Sequence, residues 1–82
     1  MKKSRTVVTV CFQGAPGDIK DRKAREILTK FAGESGTLLN AGTFLGKEPE
    51  RDLEYEMPAD KAKLCVQALK KAGFKKVFSE AA

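Results

Sequence analysis

The central stretch of the chain reads Asp52-Leu53-Glu54-Tyr55-Glu56-Met57, a strict alternation of acidic and apolar residues. Successive side chains of a β-strand point to opposite faces of a sheet, so a period of two predicts a strand with one wet face. We therefore expect the three apolar residues to face a core and the three acids to face solvent.

A strand and a helix are predicted at the N-terminal end of the chain. Residues 5–12 are β-branched and apolar, which favours a buried strand, and two glycines and a proline in residues 13–17 end it. Asp18, followed three residues later by Asp21, is typical of a helix start and predicts a capping-box-like arrangement. Apolar residues then recur at helical spacing until Gly33, at Ala24, Ile27, Leu28 and Phe31.

A second strand is predicted immediately before the central stretch. Residues 37–45 are strand-like, and Gly42 indicates a bulge or bend within them. Residues 46–51 are polar and predict a turn. The second strand and the central stretch should therefore form a hairpin.

The C-terminal third predicts a helix and a short strand. Residues 58–72 carry an apolar stripe at helical spacing. Gly73 is predicted at the C′ position of a Schellman-type helix end, with Phe74 making the apolar contact of that motif. Residues 75–79 form the last predicted strand.

The predicted order is therefore β-α-β-β-α-β. Right-handed crossovers then give an α+β fold of the ferredoxin-like kind, a four-stranded antiparallel sheet with two helices on one face. We expect one domain over residues 1–82, with residues 1–4 and 80–82 frayed. The first and third strands should be central, and the second and fourth strands should be edges.

The amino-acid composition limits which metal sites and catalytic residues the chain could form. The chain has no histidine, and its two cysteines, Cys11 and Cys65, do not form a CxxC pair. We therefore expect no metal, no cofactor and no histidine-based catalysis, with both cysteines buried as free thiols. No apolar run approaches the roughly 18 residues that span a bilayer, and the N-terminus does not resemble a signal peptide. These features predict a cytoplasmic protein that does not bind membranes.

Charge is segregated along the chain, which has a net charge of +5. Residues 33–57 hold six acidic and two basic residues, whereas the segments on either side are basic. The acids of the central stretch should lie on the open sheet face, where they would repel phosphate and exclude RNA binding of the kind that stacks bases on central strands. Carboxylates on an open sheet also lack the cleft that paired-acid catalysis needs, so we expect no enzyme.

Three functional hypotheses remain. The first is a non-catalytic binding or regulatory module, an adaptor or inhibitor, that contacts a protein partner and forms a homodimer through the second strand. Its predicted binding residues are Asp52, Glu54, Glu56 and Thr43. The second is a nucleic-acid-binding protein with a basic helical face. That face would comprise Lys20, Lys23, Lys63, Lys70 and Lys71, helped by the N-terminal arm of Lys2, Lys3 and Arg5.

The third hypothesis is a small-molecule sensor. Residues 13–18 join the first strand to the first helix, and Gly14, Gly17 and Asp18 would form an anion-binding or small-molecule loop there. This glycine-bearing loop and the element order resemble ACT regulatory domains, which implies an amino-acid site at a dimer interface. The chain also resembles acylphosphatases in length and order, with Asn40 at the place of their asparagine, but residues 13–17 contain no arginine, so that activity does not carry over.

Overall fold

A computed structural model describes residues 4–14, 17–33, 36–44 and 50–81. Its elements follow the predicted order: β1 Arg5–Gln13, α1 Ile19–Ala32, β2 Thr37–Phe44, β3 Glu50–Pro58, α2 Ala59–Lys71 and β4 Lys76–Ala81.

All strands belong to one antiparallel sheet in the order β2-β3-β1-β4. β1 and β3 are central, and β2 and β4 are the edges, as predicted. The helices pack on one face of the sheet and on each other. The α+β fold of the ferredoxin-like kind is therefore confirmed.

The alternating stretch lies in β3 with the predicted orientation. Leu53 and Met57 are fully buried between sheet and helices, and Tyr55 is half-buried on the same face. The buried apolar core comprises Val8, Val10, Phe12, Ala24, Leu28, Ala32, Leu53, Met57, Ala62, Cys65, Leu69, Phe74 and Val77.

Two details of the β2–β3 hairpin differ from the prediction. β3 begins at Glu50, so Arg51 belongs to the strand and not to the turn. The register shifts between Leu38 and Asn40, so the irregularity is not at Gly42. Gly42 instead pairs with Asp52, whose Oδ1 would lie 2.9 Å from a Cβ at that position. The remainder of the predicted turn, and Leu45, lie outside the described residues.

The helix ends show one confirmed motif and one altered motif. At the end of α2, Phe74 N–H donates to the Leu69 carbonyl and Gly73 N–H to the Lys70 carbonyl, both at 3.1 Å, which is the predicted Schellman pattern. At the start of α1, the Asp18 side chain makes no capping hydrogen bond within the described chain. The Asp21 carboxylate accepts from Gly17 N–H at 3.0 Å instead.

The ends of the described chain are tied to the fold. The Ser4 carbonyl accepts a hydrogen bond from Ala59 N–H at 3.0 Å, and Ala81 pairs with Thr6 in the sheet. The expected fraying of residues 1–3 and 82 lies outside the described residues. Within the described ranges, no helix has the length and apolar character needed to cross a membrane.

Candidate functional site

A buried ion pair fixes one corner of the molecule. Asp21 in α1 and Arg51 in β3 are each only 4% exposed. Arg51 Nε and Nη2 both lie 3.2 Å from Asp21 Oδ1, and Arg51 Nη1 donates to Thr43 Oγ1 at 2.7 Å. The half-exposed Arg25 lies 3.3 Å from Asp21 Oδ2. The pair therefore connects α1 to β3 and β2.

The environment of Asp21 keeps its carboxylate ionised. Burial alone would raise the pKa of Asp21. The hydrogen bonds from Gly17 N–H and Arg51, together with the positive charges of Arg51 and Arg25, outweigh burial and lower that pKa below its usual value. No buried side-chain nitrogen or oxygen in the described part of the chain lacks a hydrogen-bond partner. The network holds α1 against the β2–β3 hairpin.

The sheet face that the helices leave open carries an acidic row, which we define as Asp52, Glu54 and Glu56 of β3. Each member is half-buried. Arg5 Nε lies 3.0 Å from Glu56 Oε1, and Asn40 Nδ2 donates to Glu54 Oε1 at 3.4 Å. The row is thus partly neutralised at one end, where Arg5 meets Glu56.

Apolar side chains lie beside the acidic row. The register places Glu54, Thr9 and Phe78 in one line across β3, β1 and β4. Val7 and Cys11 flank Thr9 on the same face of β1, and both are half-buried. Phe78 is 59% exposed, a high value for a phenylalanine in a strand. The open face therefore combines carboxylates with an exposed aromatic ring.

A second concave surface lies at the end of the sheet where α1 begins and β4 follows α2. We call it the basic groove; its volume is about 540 Å³. Phe12 and Phe74 form part of its lining, and their rings meet edge to face with centroids 5.5 Å apart. Ile19, which is 84% exposed, lies at the side of the groove. Its charged lining residues are Lys20, Lys23, Lys75, Lys76 and Glu50.

The predicted basic helical face is divided by the structure. Lys20 and Lys23 line the basic groove. Lys63 and Lys70 instead line a separate shallow depression beside Thr6 and Ser79. Lys71 is exposed near the end of α2 and lines neither surface, and Lys2 and Lys3 of the predicted arm lie outside the described residues.

Thr43 and the predicted loop have roles within the fold. Thr43 was predicted to bind a partner through the β2 edge, but its hydroxyl accepts the hydrogen bond from buried Arg51. In the predicted loop, Gly17 N–H is bonded to Asp21, so that donor is already used. Gly14 precedes it with a φ of +152°, and Asp18 directly precedes α1.

Both cysteines are free thiols, as predicted, but only Cys65 is buried as the prediction also required. Cys65 is fully buried in α2, and burial raises its pKa to about 11. Cys11 lies half-buried on the open sheet face, where burial and then the charges of Asp52 and Glu50 raise its pKa. Raised thiol pKa values disfavour the thiolate that nucleophilic or redox chemistry requires. In the described ranges no three Cys, Asp or Glu side chains are grouped so that they would hold a metal ion.

The sequence analysis missed three residues: Arg51 of the buried ion pair, Phe78 of the open sheet face and Ile19 of the basic groove. Arg51 is two residues before Leu53, so extending the period-two pattern by one step places it on the helix-covered face. The same rule places Phe78 on the face opposite Val77. Ile19 gave no comparable signal, because a single apolar residue at a helix start is equally consistent with burial.

Comparisons with known proteins agree with this architecture. No protein-family model matches the chain, and no curated protein matches it. Among solved structures, the chain is similar to the solution structure of the C-terminal domain of the MgtC protein from Mycobacterium tuberculosis. The TM-score is 0.62 over 98% of this chain and 88% of that domain, with 14% sequence identity. At this identity the similarity concerns the fold alone.

Proposed function

We propose that this chain is a small non-catalytic module that docks on a protein partner through its open sheet face. The observation that carries the proposal is the 59% exposure of Phe78 on the same sheet face as the acidic row, two strands away. An aromatic side chain surrounded by polar groups is typical of an interface centre with a polar rim. Both thiols have raised pKa values and no paired acids line a cleft among the described residues, so we propose binding and not turnover.

The chemistry of the face defines the partner. Asp52, Glu54 and Glu56 favour lysine or arginine side chains, which would also steer association. Val7 and Thr9 lie one strand spacing from the acids, about 5 Å away, and the apolar ring of Phe78 lies two spacings away, at about 10 Å. The partner should therefore present basic groups next to an apolar patch. Such docking would make the chain an adaptor, a regulator or an inhibitor of that partner.

The location that we propose is the cytoplasm, because free thiols are typical of a reducing compartment.

Capture from a nuclease-treated lysate of the source organism tests the proposal. The full chain is immobilised as wild type and as the variants Phe78→Ser and Glu54→Lys. Leu64→Ser is the matched control, because Leu64 is 52% exposed on α2, away from the sheet face. A protein retained by wild type and Leu64→Ser, and lost with both sheet-face variants, supports the proposal.

Two results would contradict it. Equal capture by all four proteins would show that the open face is not the binding surface. Material captured only from a parallel lysate without nuclease, and whose binding falls steeply with salt, would favour the nucleic-acid alternative through the groove lysines. Circular dichroism of each variant checks that the fold is retained.

We also propose that the chain self-associates through β2. Thr37–Phe44 contains no charged residue and no proline, the devices that usually protect an edge strand. Leu38 and Leu39 are 42% and 49% exposed, and in the described chain the helices pack mainly over the other three strands. Pairing with a second copy would bury these leucines and the unpaired backbone groups of the edge.

A further inference from the structure

We propose that the basic groove is a second binding site, which takes an acidic peptide segment of a partner protein with one bulky apolar side chain. The groove lies between the start of α1 and the turn from α2 to β4. It shares no member with the acidic row and has the opposite charge, although Cys11 lies on both surfaces. The inference rests on the lysines and Ile19, and not on the residues proposed to dock through the open face.

The shape of the groove suits a side chain as anchor. A volume of about 540 Å³ lies within the range of sites that bind small ligands or single side chains. Phe12 and Phe74 form a rigid apolar floor because their rings contact each other edge to face. Ile19 stands at the side of this floor with 84% of its surface exposed. An inserted leucine or phenylalanine would cover the exposed isoleucine and exclude water from the floor.

The charge of the groove selects an acidic ligand. Lys20 and Lys23 come from α1, and Lys75 and Lys76 come from the start of β4. Glu50 is the acidic lining residue, and it lies 3.5 Å from Lys76 Nζ. Within the described chain, the other three lysines have no carboxylate within 4.0 Å. Their long stems can lie along the apolar floor while their ammonium groups meet carboxylates of the ligand.

The exposure of the aromatic rings favours a peptide over nucleic acid. Single-stranded nucleic acids gain much of their affinity by stacking bases on exposed aromatic faces. Phe12 and Phe74 are each only 7% exposed, so neither ring offers a face to a base. The exposed apolar surface of the groove comes mainly from Ile19, which suits contact with an aliphatic or aromatic side chain.

The test uses a fluorescent heptapeptide of glutamates with one central phenylalanine, and a matched peptide with serine in place of the phenylalanine. Fluorescence anisotropy measures affinity for the full chain, and amide chemical shifts locate the binding. We expect saturable binding below about 1 mM, with shifts at residues 19–23 and 72–76, and at least about tenfold weaker binding of the serine peptide.

Matched variants separate the groove from general attraction. Lys20→Glu with Lys75→Glu should weaken binding at least about tenfold, and Ile19→Ser should remove the preference for phenylalanine. Lys63→Glu with Lys70→Glu changes the net charge equally in the other depression, and it should leave most of the affinity. Equal losses from the two pairs, no saturable binding, or a higher affinity for a fluorescent oligothymidylate would overturn the proposal. Phe78→Ser should leave the affinity for the peptide unchanged, which distinguishes binding in the groove from docking through the open face.

Discussion

At the scale of single residues, Asp21 and Arg51 deserve the first experiment because each is buried and charged. Removing one member of a buried ion pair leaves the other uncompensated, which typically costs about 3–5 kcal/mol. We expect Arg51→Met to lower the free energy of unfolding by about that amount. Arg25→Met is the matched control, since Arg25 contacts the same carboxylate from an exposed position, and its loss should cost less than about 1 kcal/mol.

Urea unfolding monitored by circular dichroism measures both variants. A chain of 82 residues has a total stability of about 4–12 kcal/mol, so Arg51→Met should be close to the limit of folding. Asp21→Asn combined with Arg51→Met should cost less than the two separate losses added together, because the uncompensated charge is then removed. If Arg25→Met and Arg51→Met lower the free energy of unfolding equally, the buried arginine stabilises the fold no more than the exposed one does.

The lowered pKa of Asp21 predicts how stability depends on pH. The folded carboxyl has a pKa below its unfolded value of about 3.9, so the unfolded state binds more protons in acid. The stabilisation is fully present above the unfolded pKa, and it is lost as the pH falls through the folded pKa. We expect the unfolding free energy of wild type to fall more steeply than that of Asp21→Asn below about pH 4. Parallel curves from pH 6 to pH 2.5 would contradict this assignment.

At the scale of elements, the connection between α1 and β2 depends on a close approach at Gly36. A Cβ at Gly36 would overlap Ala32 Cβ and would lie 3.1 Å from Ala32 Cα. Gly36→Ala must therefore displace the start of β2 from the end of α1, and we expect a loss of about 1–3 kcal/mol in unfolding free energy. Adding Ala32→Gly removes one of the two clashing atoms and should restore part of the loss. If Gly36→Ala leaves the thermal unfolding midpoint unchanged, residues 32 and 36 are farther apart than this prediction requires.

The elements differ in how far the sequence determines them. The period of two in β3, the helical spacing of Ala24 to Phe31 and the Gly73-Phe74 ending are local patterns, and each predicted its element. The ion pair was not predicted, because Asp21 and Arg51 are 30 residues apart and meet only after the hairpin packs under α1. Asp21 was interpreted as a local capping residue. It accepts a hydrogen bond from Gly17 N–H at the helix start and also pairs with Arg51.

At the scale of the whole molecule, the fold separates charges that the sequence already groups. The acidic row comes from one strand, so the alternation alone predicts it. The basic groove joins lysines from residues 20–23 and 75–76, which only the closure of β4 against β1 brings together. Lys63 and Lys70 of α2 instead line the other depression. Sequence spacing within one element therefore predicted a surface, whereas spacing between elements did not.

The last prediction concerns association of two whole molecules through β2. In an antiparallel pair of β2 strands, the two β3 strands would be three spacings apart, about 14 Å. This distance exceeds the Debye length of about 8 Å at physiological salt, so the two acidic rows would repel each other only weakly. The uncharged β2 strands themselves add no repulsion. We therefore expect a dimer with a two-fold axis and a continuous eight-stranded sheet.

Light scattering during size-exclusion chromatography, repeated over a range of concentrations, measures this association. Thr43→Lys is unsuitable as the disrupting variant, because Thr43 Oγ1 accepts a hydrogen bond from buried Arg51 and the substitution would also disturb the fold. Leu39→Lys places a charge at the exposed edge and should give a monomer, because pairing would then have to bury a charge on each strand. Leu64→Lys, the same change on exposed α2, should remain dimeric. If wild type is monomeric at every concentration, or if both variants dissociate alike, β2 is not the dimer contact.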